Sequence, residues 1–223
     1  FVAGWAVPGK DTTAMNGEWM DVPGREFFEV LHERFAGQTL PIIAEDLGVI
    51  TPEVTALRDD FGLPGIRILQ FAFGTDPMKH TFEPGSYINN CVAYSGTHDN
   101  DTVMGWFNST ANSGSTRDEA TIKQERENAL SYFGTDGSEM HYDFIRALYA
   151  SEAGAVIIPT QDLLGLGSEA RFNIPGTASG NWKWRLPDFS SLSAAIGQLK
   201  QLSDDYLRGR FSDAPQARLS KLG

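Results

Sequence analysis

The chain has 223 residues, of which 41% are hydrophobic and 21% charged, a composition typical of a globular protein with a sizeable core. Its 29 acidic and 18 basic side chains give a formal net charge of -11, which argues against nucleic acid or an anionic membrane surface as a partner. A neutral substrate would be indifferent to this charge. No apolar run approaches the roughly 20 residues of a membrane helix, and a single cysteine excludes a disulfide framework within the chain. We therefore expect a reducing compartment, the cytoplasm or a plastid stroma.

Short apolar runs alternate with amphipathic segments along the chain. The first 24 residues carry Gly, Pro and Trp without a clear period, which predicts a long loop. Apolar runs predict strands at 40–44, 66–73, 91–94 and 155–160. Helical spacing and capping residues predict helices at 25–36, 52–62, 102–107, 118–132, 139–150 and 191–207. A Ser/Asn/Gly loop is expected near 108–117, a Gly-rich loop at 163–184, and a polar tail beyond 207.

This alternation predicts an α/β fold with a parallel sheet and right-handed crossovers. Four strands cannot close a barrel of eight. The chain is therefore expected to form the second half of a (β/α)8 barrel.

Two acids follow the first predicted strand, Glu45 and Asp46. In parallel α/β folds the chemistry is done at the carboxyl ends of strands. The apolar surroundings of Glu45 predict a desolvated carboxyl whose pKa is raised into the range of a general acid. The alternative is a helix cap or a surface acid beside a turn.

A second polar cluster follows the strand that begins at Cys91, and it reads His98-Asp99-Asn100-Asp101. A donor, acceptors and an amide at one strand end suit the recognition of vicinal hydroxyls and the stabilisation of transition-state charge. A capped helix at Asp101-Thr102 and a divalent metal site are the alternatives. A metal would need further ligands nearby, and none occurs at regular spacing.

Aromatic and amide side chains in the predicted loops can contact sugars. Three of the five tryptophans fall in loops: Trp5, Trp19 and Trp182. An aromatic ring can stack on the apolar face of a sugar, although core packing is the better explanation for any single Trp. Phe71 is ambiguous in the same way, and Asn173 and Asn181 either bind hydroxyls or form a turn. Paired carboxylates with aromatics and no phosphate cradle favour glycosidic chemistry, but composition does not identify a nucleophile.

Several motifs resemble the amylomaltase, or disproportionating enzyme, family of 4-α-glucanotransferases, which belongs to the α-amylase clan of (β/α)8 barrels. The motifs occur in the family's order over nearly the whole chain. They are Pro41-Ile-Ile-Ala-Glu-Asp-Leu-Gly, Gly62-Leu-Pro-Gly, Gln70-Phe-Ala-Phe, Gly96-Thr-His-Asp-Asn-Asp-Thr, Asp162-Leu-Leu-Gly-Leu-Gly-Ser-Glu-Ala-Arg-Phe-Asn and Gly180-Asn-Trp.

The resemblance implies roles for individual residues. Glu45 would be the general acid/base after the fifth barrel strand. Asp99 would be the carboxylate after the seventh strand that holds sugar hydroxyls and stabilises the oxocarbenium-like state, assisted by His98. The remaining implied substrate contacts are Asp46, Phe71, Asn173 and Trp5. The implied substrates are maltodextrins, with glucose or maltose as acceptors, and no cofactor is implied.

The chain departs from the family pattern at one point. The family's nucleophile is an Asp in an Arg-Ile-Asp-His-Phe-Arg-Gly-type motif, and Phe1 follows directly where that motif would lie. We therefore expect residues 1–223 to be the C-terminal part of one catalytic barrel domain, inactive by itself. Three other interpretations remain: a hydrolase or debranching-type enzyme of the same clan, a glucan-binding half-barrel without catalysis, and a metal-dependent enzyme built on His98, Asp99 and Asp101.

Overall fold

A computed structural model describes residues 1–48, 50–111 and 117–208. Part of the loop predicted at 108–117 and nearly all of the polar tail lie outside these residues. The chain divides into two compact units, Phe1–Ile66 and Arg67–Gly223, which are described in turn.

The first unit opens with an antiparallel pair of strands, β1 (Ala3–Ala6) and β2 (Glu18–Asp21). Trp5 pairs with Trp19 across the two strands, and their rings meet edge to face with centroids 5.2 Å apart. Cross-strand aromatic pairs of this kind stabilise hairpins. The prediction of a long loop over residues 1–24 is therefore wrong for these two segments.

Two helices follow, α1 (Gly24–Arg34) and α2 (Pro52–Asp60), close to the predicted bounds. The core of this unit is a cluster of buried apolar side chains from the helices and their connections: Phe28, Leu40, Leu57 and Leu63. The predicted strand at 40–44 is wrong, because this segment has no regular secondary structure. Ala44 N donates to the Pro64 carbonyl at 2.9 Å, and one such bond does not make a ladder.

A sheet has the strand order β3 (Gly65–Ile68), β4 (Cys91–Tyr94), β5 (Ala155–Ile157). Strands β4 and β5 belong to the second unit, and β3 crosses the boundary between Ile66 and Arg67. Strands β4 and β5 are parallel, with Ala93 opposite Val156. The third predicted strand, 91–94, is confirmed. The strand predicted at 66–73 ends early, because the chain turns at Leu69 into a 3₁₀ helix, Leu69–Phe73, which buries Leu69 and Phe73 in the core.

Among its described residues the second unit has five α-helices: α3 (Val103–Asn108), α4 (Glu119–Phe133), α5 (Met140–Ala150), α6 (Thr160–Leu163) and α7 (Leu192–Asp205). Four of them were predicted. The strand expected at 155–160 ends at Ile157, and α6 begins at Thr160. Thr102 caps α3 by accepting a hydrogen bond from Gly105 N at 3.0 Å, as its position in the sequence indicated. Across the described residues, no helix is long and apolar enough to cross a membrane.

The core of the second unit lies between the sheet and helices α3–α5. Phe73, at its centre, contacts the rings of Trp106, Phe133 and Phe144, with centroids between 5.5 and 5.8 Å apart. Burying such rings stabilises the fold by roughly 2 to 3 kcal/mol each. This packing fixes the strand ends from which the polar loops of the unit emerge.

Candidate active site

The loop between β4 and α3 carries the acid cluster and is held in a tight turn by its own side chains. Asn100 Oδ1 accepts hydrogen bonds of 2.9 Å from both the backbone N–H and the hydroxyl of Thr97. The Thr97 carbonyl accepts from Asn100 N at 3.2 Å. A side chain at Gly96 would place its Cβ 2.8 Å from Gln70 Nε2, so it would displace the Gln70 amide that bonds the Asp101 carbonyl. The turn lifts His98 and Asp99 to the surface.

Two residues identified in the sequence meet Asp99 at its carboxylate. Asn173 Nδ2 donates to Asp99 Oδ1 at 2.6 Å, and His98 Nε2 lies 3.3 Å from the same oxygen. Arg171 Nη2 donates to the Asp99 backbone carbonyl at 2.8 Å. Asn173 and Arg171 both lie in the Gly-rich loop after α6. The structure therefore joins the two polar loops of this unit at one exposed carboxylate.

Aromatic rings lie beside His98, the residue that contacts this carboxylate. The Trp182 ring is 5.2 Å from the His98 ring and 6.0 Å from the Phe172 ring, centroid to centroid. Trp182 N donates to the Phe172 carbonyl at 2.7 Å, and 54% of the residue is exposed. An exposed indole next to a histidine that contacts a carboxylate has the chemistry of a sugar-binding surface.

The other predicted residue of the second unit, Phe71, lies in the 3₁₀ helix Leu69–Phe73. Its ring packs edge to face on Phe82 with centroids 5.4 Å apart, and it is partly exposed. The neighbouring Gln70 donates from Nε2 to the Asp101 carbonyl at 2.8 Å. This segment thereby contacts the end of the Asp99 loop.

Glu45, Asp46 and Trp5 belong to the first unit. Glu45 is exposed, so the predicted desolvation of its carboxyl is wrong. Exposure alternates along the segment that carries it, and the next residue, Asp46, is buried. Trp5 is half exposed, and its Nε1 donates to the Ala14 carbonyl at 2.9 Å.

Asp46 is 8% exposed and has protein partners on both oxygens. Arg58 forms an ion pair with Oδ2, and Ile66 N donates to Oδ1 at 2.7 Å. A Cβ on Gly65 would lie 2.5 Å from Oδ2, so glycine is required at that position. These contacts give Asp46 a structural role next to Glu45, and its contact with sugar stays a prediction.

Sequence reasoning did not single out Asp162, which is almost completely buried in α6. Its carboxylate accepts from the Ser95 hydroxyl at 2.5 Å and from Val103 N at 2.7 Å. Burial raises the pKa of Asp162 to about 6; the neighbouring Asp101 adds to the rise, and the two hydrogen bonds oppose it. The signal was present, because Asp162 follows an apolar strand just as Glu45 and Asp99 follow apolar runs.

Within 1–48, 50–111 and 117–208, no three His, Cys, Asp or Glu side chains are grouped so that they could hold a metal ion. Asp101 instead accepts hydrogen bonds from the Ser168 hydroxyl at 2.7 Å and from Thr102 N at 2.8 Å. The second unit therefore presents one oriented carboxylate, Asp99, with hydrogen-bonding and aromatic side chains nearby. This arrangement suits neutral ligands with many hydroxyl groups.

These features define an α/β protein that carries its polar, chemistry-bearing residues in loops after the strands. The model of the glycoside hydrolase 77 family, described as 4-alpha-glucanotransferase, matches residues 1–191. The chain belongs to this family, as its motifs indicated.

Similar proteins agree with this assignment. The chain is 47% identical over 187 residues to a 4-alpha-glucanotransferase of Synechocystis sp., covering 83% of this chain and 34% of that protein. It is 43% identical over 194 residues to the 4-alpha-glucanotransferase of Thermus thermophilus, covering 83% of this chain and 36% of that protein. The chloroplastic/amyloplastic 4-alpha-glucanotransferase of Solanum tuberosum is 39% identical over 205 residues, covering 92% of this chain and 33% of that protein. The chain thus spans about a third of these relatives' length.

A solved structure resembles the fold closely. The amylomaltase from Streptococcus agalactiae, determined in complex with acarbose, superimposes with a TM-score of 0.82 at 33% identity. The match covers 94% of this chain and 40% of that one. The more distant amylomaltase from Corynebacterium glutamicum, at 17% identity and a TM-score of 0.56, supports the fold alone.

Proposed function

We propose that the complete gene product containing this chain is a 4-alpha-glucanotransferase, which moves α-1,4-glucan segments between maltodextrins by a retaining double displacement. Membership of the family and the names of the relatives support this activity. The observation that carries it furthest is the hydrogen bond from Asn173 to Asp99. It orients a carboxylate beside His98, whose ring contacts Trp182, in a family whose named relatives are 4-alpha-glucanotransferases. Transfer is proposed for the complete gene product rather than for these residues alone.

The architecture proposed for residues 1–223 is the C-terminal half of one catalytic (β/α)8 barrel. Three observations support it: the parallel pairing of β4 with β5, the alternation of strands and helices, and the superposition on an amylomaltase. The long loops after the strands would then form the glucan-binding face.

Glu45 is proposed as the general acid/base. It would protonate the leaving glucan and then deprotonate the 4-hydroxyl of the acceptor sugar. The acceptors proposed are glucose, maltose and longer maltodextrins. Because Glu45 is exposed in this chain, its working environment would depend on the bound substrate.

Asp99 is proposed to hold sugar hydroxyls and to stabilise positive charge at the reacting carbon. Asn173 and His98 both contact Oδ1, so Oδ2 is the oxygen proposed to accept a bond from the sugar. Trp182 would supply an apolar surface, and Asp46, Phe71 and Trp5 are the other substrate contacts proposed. Excluding water from this region would favour transfer over hydrolysis.

The test is Glu45→Gln in the complete gene product, assayed with maltotriose. We expect turnover to fall about 10²- to 10⁴-fold, the usual contribution of a general acid/base, while maltodextrin binding by calorimetry stays within about threefold. Glu53→Gln is the matched control, because Glu53 is also exposed and lies at the start of α2 in the same unit. Unchanged turnover in Glu45→Gln, or free glucose without longer maltodextrins from the wild type, would contradict the proposal.

A further inference from the structure

Asp162 has no part in the mechanism proposed above, yet it is the most deeply buried carboxylate of the described residues, at 1% exposure. It lies in α6, the short helix after β5. A buried carboxylate is costly unless hydrogen bonds compensate it. The groups that donate hydrogen bonds to this carboxylate should therefore explain why it is buried.

The two partners of Asp162 are the two ends of the loop that carries Asp99. Ser95, which donates to Oδ2 at 2.5 Å, is the first residue after β4. Val103, whose N–H donates to Oδ1 at 2.7 Å, is the first residue of α3. The loop 95–102, which contains His98 and Asp99, begins at Ser95 and ends just before Val103. One carboxylate thus fastens both ends of this loop to α6.

The bonds that reach this loop from segments other than α3 and α6 are less buried. The bond from Gln70 to the Asp101 carbonyl is partly buried. Arg171 reaches the Asp99 carbonyl at the surface, and the Ser168 hydroxyl that contacts Asp101 is exposed. Water competes for such bonds, whereas a charged acceptor in a dry interior holds its donors more strongly. The bonds at the base of the loop are therefore the ones best suited to fix its position.

We propose that Asp162 is a positioning residue for Asp99, which clamps the start and the end of the 95–102 loop so that the Asp99 carboxylate keeps its orientation. The consequence for catalysis rests on the role proposed for Asp99 above. The clamp itself is a structural statement that can be tested without activity.

The experiment compares four variants of the complete gene product: D162A, D162N, S95A and D143N. Amide hydrogen exchange is followed in peptides covering 95–103, and kcat and KM are measured with maltotriose. D143N is the matched control, because Asp143 is another buried carboxylate of the same unit with two partners of its own, Thr135 and Arg146.

D162A removes both bonds, so we expect exchange in 95–103 to quicken about tenfold or more. We expect kcat to fall about 10- to 100-fold, as small misplacements of catalytic groups do, with KM changed less than threefold. D162N keeps one acceptor and can donate to the Ser95 oxygen, so it should restore most of kcat. D143N should leave loop exchange and kcat at wild-type values.

If D162A does not fold, S95A tests the clamp instead, because it removes only the Ser95 hydrogen bond and little side-chain volume. Its loop peptides should exchange faster than those of D143N, with a smaller loss of kcat than in D162A. Wild-type loop exchange in a folded D162A or in S95A would overturn the clamp. Faster exchange with unchanged kcat would overturn the link to Asp99. If the wild type shows no transfer activity, the proposed function is wrong, and hydrogen exchange alone then tests the clamp.

Discussion

Asn173 and Asp99 are 74 residues apart in the chain and are joined by a hydrogen bond of 2.6 Å between Nδ2 and Oδ1. The amide belongs to the loop after α6 and the carboxylate to the loop after β4, so the bond ties together two loops that leave the same side of the β4–β5 pair. His98 contacts the same oxygen. The orientation of Asp99 is therefore set by two neighbours, one local and one distant in sequence.

Replacement of Asn173 by Ala removes the distant neighbour. We expect kcat with maltotriose to fall about tenfold, since a hydrogen bond to a charged group contributes roughly 1.5 kcal/mol and each 1.4 kcal/mol is tenfold in rate. N173D should lose more, because two carboxylates would repel at this distance. Asn108→Ala, an exposed amide at the end of α3, is the control. Equal kcat in N173A and N108A would show that the bond does not orient Asp99 for catalysis.

The ion pair of Asp46 with Arg58 should stabilise the first unit. Both side chains are largely buried, so removing either one leaves a charge without its partner in the interior. A double-mutant cycle of D46A and R58A, measured by urea unfolding, should give a coupling energy of about 1.5 to 3 kcal/mol. Arg25 and Asp60 form an exposed pair in the same unit and should couple by less than about 1 kcal/mol. Similar coupling in both pairs, with sugar affinity lost in D46A, would favour a substrate contact over the structural role.

The raised pKa of Asp162 makes stability depend on pH. The ordinary value is 3.8 and the folded value about 6, so the folded protein binds the proton more readily than the unfolded chain. Acidification through this window therefore favours folding, and ionisation at neutral pH costs on the order of 3 kcal/mol. D162N has no such term. Between pH 7.5 and 4.5 the wild type should gain about 2 kcal/mol of unfolding free energy relative to D162N, measured by urea denaturation. A constant difference between the two proteins would show that Asp162 has an ordinary pKa.

Local patterns predicted most of the helices and the strand at 91–94, because their signals lie within a few neighbouring residues. Thr51 before Pro52, and Thr102 before α3, mark helix starts in the sequence itself. The hairpin of β1 and β2 was missed because its strands are four residues long, lack buried alternation and depend on a pairing between Trp5 and Trp19. The segment 40–44 was overpredicted because an apolar run does not supply the partner strand that a ladder requires.

The site was predictable in its parts but not in its contacts. The rule that acids after apolar strands are functional selected Glu45 and Asp99. Asn173 was a candidate for hydroxyl binding or for a turn, and the resemblance favoured the first. The same rule applied to Asp162 would have drawn attention to it, but its bonds to Ser95 and Val103 follow from the packing of α6 under the loop. The exposure of Glu45 was not foreseen, because flanking apolar residues do not show on which side of an extended segment a carboxyl lies.

Trp182 has a φ of 62°, the left-handed region that suits glycine and costs most other residues about 1 kcal/mol or more. The backbone conformation at this position therefore favours glycine, whereas the contact with His98 requires an aromatic ring. Glycine would relax the main chain while deleting the surface beside His98, and Val or Ile would strain the main chain without restoring a flat ring. Given the glucan contact proposed for Trp182, the glycine variant should be among the most heat-stable at this position and among the weakest in glucan affinity. Selecting for melting temperature alone would therefore discard the ring.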